Sequence, residues 1–186
     1  NNVTIFNNPG AGDLITTYGD LSIKDSRIYG NDVGDIIQSS ASKATIILNN
    51  TVFEDNNVTS DSQNYGIVYI NGANSNLIVE DCKFMDNTAR QGVLIGSTGT
   101  NITVKGSEFI NNNNTVAYGG VIRALAKLDV SDSVFINNNA GREGGAIYVG
   151  SSGVANITKS AFINNTCANY DSDYNGDVIS TYGKLT

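Results

Sequence analysis

The chain is predicted to be all-β, coiled as a parallel β-helix (a solenoid) of about seven rungs. Three observations predict this: a repeat of 25 to 31 residues, three short strand-like stretches per unit without helical spacing, and like residues recurring at matched places. A propeller fits less well, because its blades need four strands, about 40 residues and hairpin turns. At the usual inter-strand spacing, seven rungs make a rod roughly 30–35 Å long.

Each unit is built in the same order. Apolar residues at seven and five before a marker open it: Leu21 and Ile23, Ile46 and Leu48, Leu77 and Val79, Ile102 and Val104, Leu128 and Val130, Ala155 and Ile157. Their alternation is that of a strand with one buried face. Two before the marker stands a small residue, Ser26, Thr51, Cys82, Ser107, Ser133 or Ser160, expected in a narrow corner. The marker itself is Ile28, Phe53, Phe84, Phe109, Phe135 or Phe162, with Phe6 opening the series. Three residues on comes Asn31, Asn56, Asn87, Asn112, Asn138 or Asn165, with Pro9 in its place in the first unit. A stretch of variable length follows, then Gly and a further apolar strand, as in Gly66-Ile67-Val68-Tyr69 and Gly144-Gly145-Ala146-Ile147.

In such a coil each residue lies over its equivalent about 4.8 Å away, so like stacks on like. The phenylalanines are expected to fill an inward column and the asparagines to pass amide hydrogen bonds along a ladder. Gly marks bends that a Cβ would strain.

The run Phe135-Ile136-Asn137-Asn138 followed by Gly144-Gly145-Ala146-Ile147 resembles the FxxN and GGA[ILV] repeat of chlamydial polymorphic outer-membrane proteins. The Asn-rich texture is similar to adhesin-like surface proteins of methanogenic archaea. The FxxN half persists at Phe53, Phe84, Phe109 and Phe162, whereas GGA[ILV] is reduced to Gly119-Gly120-Val121 and to single glycines elsewhere. The resemblance implies an extracellular, cell-surface protein whose fold is a right-handed parallel β-helix, with a role in adhesion or cell contact, and it carries over no catalytic residue.

Composition narrows the remaining classes. With 18 acidic and 11 basic residues the net charge is −7 and the pI about 4.4, which argues against nucleic acid as a partner. No apolar run is long enough for direct membrane insertion as a helix. There is no histidine, which removes imidazole-based metal sites and nucleophile systems. Cys82 is expected to be a buried corner residue and Cys167 to lie in a loop three rungs away, too far for a disulfide. The single domain, residues 1–186, is expected to be a fragment of a longer surface protein, or to associate end to end with copies of itself, since neither terminal rung carries a polar cap.

The variable stretch is the expected binding edge. It has two residues in the second unit, nine in the third and ten in the last, and it carries Tyr65, Tyr118, Tyr170 and Tyr174. Tyrosine supplies stacking area and a hydroxyl, which suits a glycan or a cell-surface protein as partner. The run Asp171 to Asp177 places Asp171, Asp173 and Asn175 as Ca2+ ligands would stand at the opening of a calcium loop. Tyr182 stands where the closing glutamate would be, which weighs against calcium, and no cofactor is expected apart from this candidate Ca2+. Seven sequons, at Asn2, Asn49, Asn57, Asn101, Asn113, Asn156 and Asn164, are candidates for glycosylation.

Enzyme chemistry of the polysaccharide lyase or glycosidase kind needs carboxylates side by side on one face. Asp25, Asp81 and Asp132 share one position, but Asn50 and Gly106 interrupt them, and a solvated turn accounts for them better. Arg123 and Tyr148 are expected to be neighbours, with Arg142-Glu143 nearby. The expected function is therefore an adhesin-like stalk and not an enzyme, with a structural spacer of a surface layer or filament as the main rival.

Overall fold

The computed structural model describes residues 1–59, 66–116, 118–168 and 178–186. The chain coils into a parallel β-helix whose strands stack turn upon turn into four sheets. Sheet I holds Thr4–Phe6, Arg27–Tyr29, Val52–Glu54, Lys83–Met85, Glu108–Ile110, Val134–Ile136 and Ala161–Ile163. Sheet II is made of the two-residue strands Asp32–Val33, Asn57–Val58, Thr88–Ala89, Asn113–Asn114, Asn139–Ala140 and Thr166–Cys167. Sheet III follows the variable stretch: Ile15–Thr17, Ile37–Ser39, Val68–Ile70, Leu94–Gly96, Ile122–Ala124, Ile147–Val149 and Ile179–Thr181. Sheet IV holds the long strands from Leu21–Lys24 to Lys184–Leu185. Among the described residues, seven strands in each of three sheets and six in the other give a little over six turns, close to the expected count.

Sheet II is an element the repeat does not disclose. Two residues are too few to show a periodicity, so three strands per turn are expected where four form. Cys167 accordingly ends a strand of this sheet and does not lie in a loop; no disulfide joins it to the buried Cys82.

The interior is layered as like-on-like stacking requires. Phe53, Phe84, Phe109, Phe135 and Phe162 form one column with ring centroids 4.6, 5.1, 4.9 and 4.8 Å apart and planes within 8°. The first unit departs from the expected alignment. Ile5, not Phe6, pairs with Ile28, and Asn8, not Pro9, gives its amide to Asn31 at 2.8 Å. Phe6 is displaced to the outer face, where it stacks on Tyr29 at 5.1 Å. Choosing the aromatic residue as marker shifts that unit by one residue, and a one-residue shift exchanges the two faces of a strand.

Behind the phenylalanines runs the asparagine ladder. The Asn56 amide donates to Asn87 Oδ1 at 3.0 Å, Asn87 to Asn112 at 3.0 Å, Asn112 to Asn138 at 3.0 Å and Asn138 to Asn165 at 2.8 Å. The second hydrogen of each goes to a marker carbonyl, as from Asn112 to Phe84 O at 2.9 Å, so the buried amides are satisfied. The small residue forms a second ladder: Ser107 Oγ donates to Lys105 O and accepts the amide of Cys82. Cys82 substitutes in that corner, and burial pushes its thiol up to about 11.

The abundance of Asn and Asp has its own cause. The corner entering sheet I has left-handed backbone at Asp25, Asn50, Asp81, Gly106, Asp132 and Lys159, and the corner leaving it at Gly30, Asp55, Asp86, Asn111, Asn137 and Asn164. Asn, Asp and Gly tolerate that conformation best. This confirms a turn role for Asp25, Asp81 and Asp132.

Candidate functional site

The variable stretch begins with the two residues of each sheet II strand and, among the described residues, leads from there to sheet III, so it lies along one edge of the rod. Where it is held between the fifth and sixth turns it is pinned by backbone bonds from Gly119 N to Glu143 O, 2.8 Å, and from Gly120 N to Gly144 O, 2.9 Å. The double glycines divide two tasks. Gly119 and Gly144 have φ of 75° and 63°, while a Cβ on Gly120 would stand 2.0 Å from the carbonyl oxygen of Gly145. The first glycine makes the turn and the second lets neighbouring turns close on each other.

This packing gathers three tyrosines from three units. Tyr118 comes from the loop, Tyr148 from the outward centre of Ile147–Val149, and Tyr182 from just after Ile179–Thr181. The ring centroids of Tyr118 and Tyr148 are 4.9 Å apart at 40°, and those of Tyr148 and Tyr182 are 5.9 Å apart at 49°. Together with Glu143 and Ser151 they line a notch of about 260 Å³. The guanidinium of Arg142 stands 5.2 Å over the Tyr118 ring.

Glu143 is the buried acid of the notch, 2 % exposed. Ser180 Oγ donates to its Oε2 at 2.7 Å and the Tyr182 hydroxyl to its Oε1 at 3.3 Å, so two turns meet on one carboxylate. Burial raises the pKa of the Tyr148 phenol, and the charge of Glu143 raises it further, against the opposing effect of Arg123. Arg123 is the in-register neighbour of Tyr148, as expected from the repeat.

A family model described as right handed beta helix region matches residues 1–122. The chain belongs to that right-handed β-helix family. Neither the curated proteins nor the solved structures give a match.

Of the expected binding residues of this β-helix, Tyr118 lies in the notch, whereas Tyr65, Tyr170 and Tyr174 lie outside the described residues. So do the proposed calcium ligands Asp171, Asp173 and Asn175; among the described residues no group of three or more acidic or cysteine side chains is placed to hold a metal. Six sequon asparagines, Asn2, Asn57, Asn101, Asn113, Asn156 and Asn164, are exposed, while Asn49 is half-buried in sheet IV. The Asn57 amide is engaged by Asp32 at 3.2 Å and that of Asn101 by Asn76 at 3.2 Å.

The β-helix also brings together two carboxylates from neighbouring turns. Asp13 Oδ1 accepts the amide of Asp35 at 3.1 Å, and Asp35 Oδ1 accepts that of Gly66 at 2.7 Å. Asp35 is sealed from solvent and its Oδ2 has no partner among the described residues. Burial pushes its pKa up to about 8, opposed by the Gly66 amide and aided by Asp13. A group closed off from substrate serves the backbone, holding the point where the chain re-enters sheet III.

Proposed function

We propose that the chain is the shaft of a surface adhesin, a rigid rod that contacts another cell surface, through a protein or a glycan, along its loop edge. The observation that carries this reading is the notch of Tyr118, Tyr148 and Tyr182 on that edge. Three aromatic rings share one concave site there, although the interior stacking of the repeat requires none of them. Among the described residues the notch is lined by a single carboxylate, Glu143, where glycoside hydrolysis ordinarily uses two, and this favours binding over turnover.

The test is a binding screen on intact cells and immobilised glycans, run beside assays for new reducing ends and unsaturated uronates on acidic polysaccharides. Saturable binding that is lost in a Tyr118→Ser/Tyr148→Ser variant of unchanged melting temperature is the expected result. Turnover abolished by Glu143→Gln would overturn the reading in favour of an enzyme. An absence of binding to any surface would overturn it in favour of a spacer.

A further inference from the structure

Resting on the notch as the contact site, we propose that its ligand is a quaternary ammonium group of the choline type. The rings do not offer one flat platform, as a sugar face would need. Each is tilted from the next, by 40° and 49°, so the rings line the notch in different planes, and the negative face of a phenol ring attracts a cation held within about 6 Å. Arg142 over Tyr118 shows one of these rings already in such a contact.

The acid beneath the rings makes the choice narrower. Each oxygen of Glu143 already accepts a hydroxyl from Ser180 or Tyr182. The carboxylate is thus held in place by two hydroxyls, which take two of its roughly four acceptor positions and leave about two for a ligand. A primary ammonium would bring three donors that need partners, and a sugar several hydroxyls. A trimethylammonium group brings none. It needs only the field of a fixed carboxylate and the ring faces, and its weak hydration makes desolvation cheap. At about 260 Å³ the notch is smaller than the roughly 300 Å³ at which sites for drug-sized ligands begin, and it suits one headgroup better than a run of sugars. The net charge of −7 favours the approach of a cation.

The experiment titrates the full chain with choline chloride. It follows tyrosine fluorescence, which is unobscured because the chain has nine tyrosines and no tryptophan, with saturation-transfer NMR as second readout. The control is 3,3-dimethylbutan-1-ol, the uncharged isostere. Choline is expected to bind at millimolar concentrations and at least ~10-fold better than the isostere, the order of advantage that cation–π and carboxylate contacts give together. Glu143→Gln is expected to weaken choline ~10-fold and Tyr148→Leu to abolish binding, while Tyr18→Leu, far from the notch, changes nothing. Melting curves establish that each variant is folded. Equal binding of choline and the isostere, or no choline binding by the folded wild-type chain, would overturn the proposal. Free phosphocholine and phosphatidylcholine vesicles as parallel probes separate a soluble or grafted headgroup from a bilayer one. A neutral glycan that binds where choline does not sinks this inference and leaves the adhesin reading standing. Choline binding without any cell-surface binding does the reverse.

Discussion

Asp35 shows how far a single side chain can couple this fold to pH. Its carboxyl has an ordinary value near 3.8 in the unfolded chain and about 8 in the folded one, because burial disfavours the charged form. Between those values the native state holds a proton that the unfolded state has released. Its contribution to stability is therefore fully present below about pH 4, falls as pH rises and is lost above about pH 8, with a slope of at most about 1.4 kcal/mol per pH unit. The chain has no histidine, so few other groups compete for that window. Asp35→Asn keeps the Oδ1 acceptor for Gly66 and removes the charge. The variant is expected to match the wild type at pH 4 and to exceed it by a few kcal/mol at pH 8, as judged by urea unfolding at each pH. A variant that is less stable than the wild type at pH 8 would show that the carboxylate is ionised and favourable in place.

At the scale of the element, the marker column is the chief source of cohesion. Phe109 is fully buried between Phe84 at 5.1 Å and Phe135 at 4.9 Å, and a cavity there has rings above and below that the sheet backbone holds at fixed spacing. Phe109→Ala is expected to cost about 3–5 kcal/mol, the range for large-to-small changes in cores that cannot collapse. Thermal and denaturant melts beside Tyr18→Ala, whose side chain is exposed, check it. Columns of this kind make the fold legible: stacking like on like writes the same letter once per turn, so the recurrence of Phe, Asn and Ser is enough to reveal the coil. What stays hidden follows from the same logic. A two-residue strand leaves no period, and the aromatic Phe6 outweighs Ile5 in aligning the first turn. Tyr118, Tyr148 and Tyr182 occupy three different places in their units, because the path of a loop and not the repeat brings them together. Only the Arg123–Tyr148 adjacency, with Tyr118 and Glu143 nearby, signals the notch from sequence.

At the scale of the whole molecule, a solenoid in which each turn touches only its neighbours has stability that sums over turns and interfaces. Every turn presents the same sections to the next: Lys83 pairs with Glu108, Phe84 with Phe109, and Ser107 fills the corner that Cys82 fills one turn earlier. Removing residues 83–107 joins Cys82 to Glu108 at equivalent positions and so excises one complete turn. In the shortened rod Phe53 meets Phe109 and Asn56 meets Asn112, so the aromatic column and the amide ladder both close. The deleted chain is expected to fold with the same β-type circular dichroism, to be shorter by one inter-strand spacing of about 4.8 Å in solution scattering, and to melt at a lower temperature. It keeps Tyr118, Glu143, Tyr148, Ser151 and Tyr182, so choline affinity should be unchanged. Deleting residues 83–101 instead leaves the turn incomplete. That joins Cys82 to Ile102 and puts strand residues out of register, which is expected to prevent cooperative melting. If both deletions fold equally well, register between turns is not what holds the rod together. If neither folds, the turns are not interchangeable units, and the stability of the rod resides in contacts particular to the fourth turn.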